Sequence, residues 1–213
     1  MKKIICLTIL LFSISAYSQE HLSGGANEIL DKLAAQYKKY PSVSIQFTLR
    51  IEENKTAVNK IAGEVLVKDN MYKMTIPGQQ IYCDGETIWT YQKDVNEISV
   101  FQNDEEDETL INPIQLLDNW KKNYTAKFIR EETVNNKKIT IVDVTPIKQE
   151  SYFKIRIFVD EAKNEIVGFS MYEKDNSVYV YNFDKTETNK IVQKTDFQLK
   201  TADFPGVDIN DMR

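Results

Sequence analysis

Between Val43 and Glu52 the apolar residues Val43, Ile45, Phe47, Leu49 and Ile51 alternate with Ser44, Gln46, Thr48, Arg50 and Glu52. A period of two held over this length marks a strand with one buried face, so the chain has to build a sheet. Less regular segments of the same kind follow at Ala57 to Lys68, Met71 to Ile76, Gln79 to Cys83, Thr87 to Gln92 and Glu97 to Phe101. Further ones come at Ala126 to Glu132, Lys138 to Thr145, Phe153 to Asp160, Glu165 to Glu173, Ser177 to Asp184 and Ile191 to Leu199. Asp69-Asn70, Pro77-Gly78, Asp84-Gly85, Asn135-Asn136 and Asp175-Asn176 supply turn chemistry between them. Links this short favour antiparallel neighbours, because a parallel crossover needs about a dozen residues. The expectation is one long antiparallel sheet of about eleven strands, and a twisted sheet of that size curls.

Two segments read as amphipathic helices. Ala26 to Tyr40 carries Ile29, Leu30, Leu33 and Tyr37 on one stripe and meets Pro41. A second helix opens at Pro113 with Asn112 as its cap, and shows Ile114, Leu116, Leu117 and Trp120. Both stripes need an apolar partner, which the concave side of a curled sheet supplies. No composition break or repeat divides the chain.

The amino terminus has the order of a secretory leader: Met1-Lys2-Lys3, an apolar run from Ile4 to Ile14, and Ala16-Tyr17-Ser18. Cleavage after Ser18 is expected, leaving residues 19–213 as a single exported, soluble domain. The apolar run is shorter than the roughly 20 residues a membrane span needs, and Cys6 sits inside it rather than at its end. The chain has 27 basic and 32 acidic residues, and losing Lys2 and Lys3 leaves 25 against 32, a net charge of −7. That balance argues against nucleic acid, whose binding needs clustered Lys and Arg. Of the two cysteines only Cys83 survives cleavage, so no intramolecular disulfide forms.

Catalytic constellations are sparse. The one histidine, His21, falls in what reads as an N-terminal tail, a poor place for a base that must be held against a nucleophile. Cys83 reads as a small core residue in a strand, and one thiol with no histidine near it makes no zinc spacing. Asp104 to Glu108 is a run of acids without the spaced ligands and glycine of a calcium loop, and reads as a solvated loop. Asp84-Gly85 reads as a turn. A more unusual feature is that several strands are apolar on both faces: Tyr152 and Phe158 against Phe153, Ile155, Ile157 and Val159, and Val178 and Val180 against Tyr179, Tyr181 and Phe183. An antiparallel sheet with one wet face alternates more cleanly.

The order of these pieces resembles the LolA family of periplasmic lipoprotein carriers. The leading helix is followed by "SVSIQFTLRI", then by the glycine-led "GEVLVK" from Gly63 to Lys68. "YCDGETIWTY" is similar to the family's D-G-x-x-[LI]-W-x-Y hairpin, with Asp84, Gly85, Trp89 and Tyr91 in place. "NPIQLL" resembles its proline-opened helix, and "FPGVDIND" its closing segment. The resemblance implies an incomplete, unclosed antiparallel β-barrel with a helical lid on its concave face. It further implies a periplasmic cavity for the acyl chains of lipoproteins, loading by an inner-membrane ABC transporter, delivery to an outer-membrane acceptor or the membrane itself, and no catalysis. The expected state is a monomer without cofactor, metal or nucleic acid.

By position, Tyr72, Met74, Trp89 and Tyr91 are the lipid-binding candidates on the sheet, with Leu33 and Tyr37 on the first helix and Ile114 and Leu117 on the second. One departure stands out. Many family members follow the second strand with a basic residue and proline, the arginine helping to hold the lid; here the stretch is "VKDNMYKM", and Arg50 and Lys68 are the candidate substitutes. Two other readings stay open: a sensory or regulatory binding module on the same scaffold, and a glycan hydrolase, which would place two buried acids in one cleft.

Overall fold

A computed structural model describes residues 15–53, 56–103 and 113–213. Residues 1–14, most of the expected leader, the acidic run at 104–108 and Asn112 lie outside the described residues. Helix α1 is Ser15–Tyr37. It starts well before Ala26, so His21 lies on a helix and not in a tail, and the expected cleavage point falls within it. The chain then turns through Tyr40, whose N–H donates to the Tyr37 carbonyl.

Strands β1 (Val43–Glu53), β2 (Thr56–Lys68), β3 (Met71–Ile76), β4 (Gln79–Cys83), β5 (Thr87–Gln92) and β6 (Glu97–Gln102) form an antiparallel meander. Helices α2 (Pro113–Asp118) and α3 (Trp120–Asn123) follow. A second meander comes next: β7 (Tyr124–Val134), β8 (Lys137–Pro146), β9 (Tyr152–Asp160), β10 (Glu165–Glu173) and β11 (Ser177–Thr188). Strand β11 pairs antiparallel with β1, which fuses the meanders into one sheet. A last strand, β12 (Asp208–Asp211), runs parallel to β6. Among the described residues the order is β12-β6-β5-β4-β3-β2-β1-β11-β10-β9-β8-β7, a single unclosed sheet of twelve strands with β12 and β7 at its edges. The expected unclosed barrel is what forms. The chain passes from β6, beside one edge, to β7 at the other, so α2 and α3 lie on the connection between the two ends of the sheet.

One expected strand is absent. Ile191 to Leu199 is an irregular run with a 3₁₀ turn at Lys194–Phe197. The Asp196 carboxylate accepts from the Gln193 N–H at 2.8 Å, a local side-chain bond that competes with strand pairing. Phe197 is fully buried and Ile191 fully exposed, the reverse of what one strand face requires. The pairing sought there is made instead by β12, whose four residues are all exposed and therefore show no apolar alternation.

The main core lies on the face of the sheet that the helices cover, here the inner face. Ala26, Leu30, Leu33 and Tyr37 of α1, Leu116 and Leu117 of α2 and Trp120 of α3 join one cluster with Val43, Ile45, Phe47 and Leu49 of β1. Glycine is required in β2: a Cβ at Gly63 would stand 2.5 Å from Cζ of Phe47 and 2.8 Å from Cγ2 of Ile76. The family-like strand pair "SVSIQFTLRI" and "GEVLVK" is thus explained by a phenyl ring lying on a bare Cα.

Candidate functional site

Strand register decides which residues the helices cover. Ile45 pairs with Val65, Val65 with Met74, Met74 with Ile81, and Ile81 with Thr90. Directly paired residues share a face, so these line one row of the inner wall. On the other meander, Leu49 pairs with Tyr181, Tyr181 with Phe169, Phe169 with Ile157, and Ile157 with Val142. Tyr72 and Val67, Ile61 and Ile51, Met171 and Tyr179 extend the same face. None of these positions holds a charged side chain.

Aromatics form the centre of the wall. Phe169 and Tyr181 stack with centroids 4.4 Å apart at 12°, with Phe47 5.5 Å from Tyr181 and Phe183 6.2 Å from Phe169. Burial pushes the Tyr181 phenol up to about 12, as expected where water is scarce. Along β1 the inner residues are buried from Val43 to Leu49, but Ile51 is half-buried, as are Ile61, Ile76, Met171 and Tyr179 toward the same end. Among the described residues, the apolar wall therefore continues past the point where the helices and the packed core cover it.

The covering helices are fastened by polar contacts at one side. The Tyr37 hydroxyl accepts from the Ile166 N–H at 3.2 Å. Asn164, in the turn after β9, donates to the Lys32 carbonyl at 3.1 Å and to Oε1 of Gln36 at 2.8 Å. Lys121 of α3 bridges to Asp31 of α1 at 2.8 Å. Arg50 and Lys68, the expected substitutes for a lid arginine, are not among these contacts. Arg50 pairs with Lys60 and Val180 on the outer face and donates to Glu52, and Lys68 follows inward-facing Val67, so alternation turns it outward.

Six of the eight lipid-binding candidates meet in the inner cluster: Leu33, Tyr37, Met74 and Leu117 within it, and Tyr72 and Ile114 packed against it. Trp89 and Tyr91 do not. Trp89 pairs with Tyr82 and Val100, and Tyr91 with Gln80 and Ile98, all one residue out of phase with Met74 and Ile81. They lie on the outer face under the C-terminal segment, in a second cluster with Leu199, Phe204 and Val207. The Tyr91 and Phe204 ring centroids are 4.2 Å apart.

Asp84, in the same hairpin, is a structural residue. Its Oδ1 accepts from the Glu86 and Thr87 N–H groups at 3.1 and 3.0 Å, and Oδ2 from Nε2 of Gln198 at 3.0 Å. Burial disfavours its charge, but these hydrogen bonds and Lys194 prevail, holding the carboxyl below its ordinary value. Residues passed over in the sequence as wall residues are Phe169, Met171, Tyr179, Tyr181 and Phe183. For Tyr179, Tyr181 and Phe183 the signal lies in the alternation of β11 and is masked by Val178 and Val180 on the other face; Phe169 and Met171 alternate in the same way along β10 beside Tyr172.

The model of the family described as outer membrane lipoprotein carrier protein LolA matches residues 38–200. The chain belongs to the LolA family. The match runs from the end of α1 through the 3₁₀ turn and leaves β12 beyond it. No curated protein matches the chain in sequence. Among solved structures, an uncharacterized conserved protein from Thermus thermophilus superposes with a TM-score of 0.59 at 9% identity, over 87% of this chain and 98% of that one. A putative outer membrane lipoprotein-sorting protein domain from Vibrio parahaemolyticus gives 0.50 at 8% identity, over 83% and 97%. These likenesses show that the LolA-type sheet is shared. Among the described residues there is no group of ligands suited to a metal ion, and no helix long and apolar enough to cross a membrane.

Proposed function

We propose that this chain is a periplasmic carrier that shields the acyl chains of lipoproteins on the inner wall and moves them from the inner to the outer membrane. Membership of the LolA family supports the class of cargo. The observation that carries the reading is the uncharged wall that continues, half-buried, from Leu49 and Tyr181 to Ile51, Ile61, Met171 and Tyr179. Burying an acyl methylene is worth about 0.8 kcal/mol, so one well-packed chain of ordinary length gains on the order of 10 kcal/mol. Cargo held that firmly leaves slowly. A wall ending in Met and Tyr side chains, adaptable in shape, suits a carrier that shelters chains without close packing. An inner-membrane ABC transporter as loader and an outer-membrane acceptor belong to this reading, as does removal of the leader.

A glycan hydrolase fits less well. Asp143 and Asp160 are the buried carboxylates among the described residues. Both sit on the outer face and are engaged, Asp143 by a bidentate Arg156 at 2.7 and 2.9 Å and Asp160 by the Lys163 N–H.

The test is release of acylated lipoprotein from spheroplasts into the soluble fraction by the exported protein. Wild type should release it; Met171→Glu and Ile61→Glu should abolish release while staying folded; Asn182→Glu, an exposed outer-face control, should not. If folded wild-type protein releases nothing, the carrier reading fails.

A further inference from the structure

The outer face of β9 to β11 holds an apolar surface that the inner wall does not explain. Phe158, Tyr172, Val178 and Val180 point away from the helices, by register with Gly168, Lys154 and Ser170. With Phe153 they wall a cleft of about 670 Å³ that also reaches β1 at Arg50 and Glu52. This is the second apolar face visible in the sequence, and its volume lies within the roughly 300–1,000 Å³ of small-molecule sites.

Ser170 gives the cleft a polar floor. The residue is 4% exposed and lines the cleft. Among the described residues its hydroxyl makes no side-chain hydrogen bond, while no fully enclosed polar atom lacks a partner. The hydroxyl is therefore open to the cleft, with capacity to donate and to accept. Of the charged groups in and beside the cleft, all but Glu173 on its wall are matched. Arg50 holds Glu52 at 2.7 Å, Arg156 holds Asp143, and the Lys154 ammonium lies 3.9 Å from the Tyr172 ring centre. An anionic ligand would have to break one of these pairs or be desolvated beside Glu173 without a partner, which is costly.

We propose that this outer cleft is a second binding site, for an amphiphile without negative charge that has an aromatic or branched aliphatic body and one hydrogen-bonding group that meets Ser170. The site is separate from the inner wall and does not depend on the carrier reading. Strands β1, β10 and β11 lend alternate residues to both: Ile51, Met171 and Tyr179 inward, Arg50, Tyr172 and Val178 outward.

The experiment titrates isotope-labelled protein with 4-propylphenol, 4-propylbenzoate and propylbenzene and follows backbone amide shifts. Saturable shifts are expected with 4-propylphenol at Ser170, Tyr172, Val178 and Val180. Ser170→Ala, which should fold normally, is expected to bind 4-propylphenol about fivefold more weakly, the worth of one neutral hydrogen bond. On that variant 4-propylphenol and propylbenzene should bind alike, and Val180→Gln should weaken both. The proposal is overturned by absence of saturable shifts at these residues, by shifts confined to Ile51, Met171 and Tyr179, by a Ser170→Ala variant that binds as wild type does, or by 4-propylbenzoate binding as tightly as the phenol.

Discussion

Replacing Gly63 by alanine puts the packing of the inner wall to a test in which the sign of the result decides. In a strand interior, alanine is ordinarily better than glycine by about 0.5–1 kcal/mol, because glycine loses more backbone freedom on folding. Here the new methyl would stand 2.5 Å from the Phe47 ring and 2.8 Å from Ile76, where carbon contacts want roughly 3.5–4.0 Å. The ring must retreat by about 1 Å, yet Phe47 is buried and its centroid lies 5.5 Å from Tyr181. Overpacking of this kind costs about 1–3 kcal/mol, so after the gain from alanine a net loss of about 1 kcal/mol is expected. With a urea m-value of about 2 kcal/mol/M, the midpoint should fall by about 0.5 M. Phe47→Leu withdraws the ring atoms and leaves the Ile76 contact, so on that background Gly63→Ala should cost less, giving a coupling energy of about 1 kcal/mol. A midpoint that rises in Gly63→Ala, or the same loss on both backgrounds, would refute the account of why β2 is led by glycine.

Three further outcomes follow from the contacts described. Arg156→Met strips Asp143 of its bidentate partner and leaves Lys154 at 3.6 Å, so a loss of about 1–3 kcal/mol, below the full cost of an orphaned buried charge, should appear in denaturant melts. The lowered pKa of Asp84 means that its contribution is complete above the ordinary carboxylate range and is lost as pH falls through the depressed folded value. In a Trp120→Phe background, Trp89 fluorescence should therefore stay constant from pH 7 to about 5 and change at lower pH, and Asp84→Asn should flatten that change. Deleting residues 208–213 removes no buried side chain and should cost less than about 1 kcal/mol. It bares the edge of β6, however, and sedimentation velocity should show concentration-dependent association.

The strands were legible in the sequence because period-two alternation and Asn, Asp and Gly turns coincide along both meanders. Which face each strand turns inward was legible only where the other face is polar, as in β1. In β5 both faces are apolar for different reasons: Ile88 joins the inner cluster, whereas Trp89 and Tyr91 are covered by Phe204 and Val207, a segment more than a hundred residues away. Nothing local separates those cases. The aromatic centre at Phe169 and Tyr181 was hidden in the same way by the outer cleft, since two apolar faces erase the contrast on which periodicity depends. Strand β12 escaped because its four exposed residues carry no pattern, and its place is set by the burial of Phe197 and Leu199 before it.

The seam between β1 and β11 has a consequence for timing. Val43 pairs with Thr188 and Glu53 with Ser177, so strands separated by most of the chain must meet before the two halves of the wall adjoin. A chain that emerges amino terminus first completes the meander from β1 to β6 early, then holds the far edge of β1 open until β11 arrives. Non-local pairing of this kind is slow, and the waiting edge, lined by Ile45, Phe47 and Leu49, is the most adhesive part of the unfinished molecule. Chaperone demand during biogenesis should therefore be concentrated in the interval between synthesis of residue 53 and residue 188.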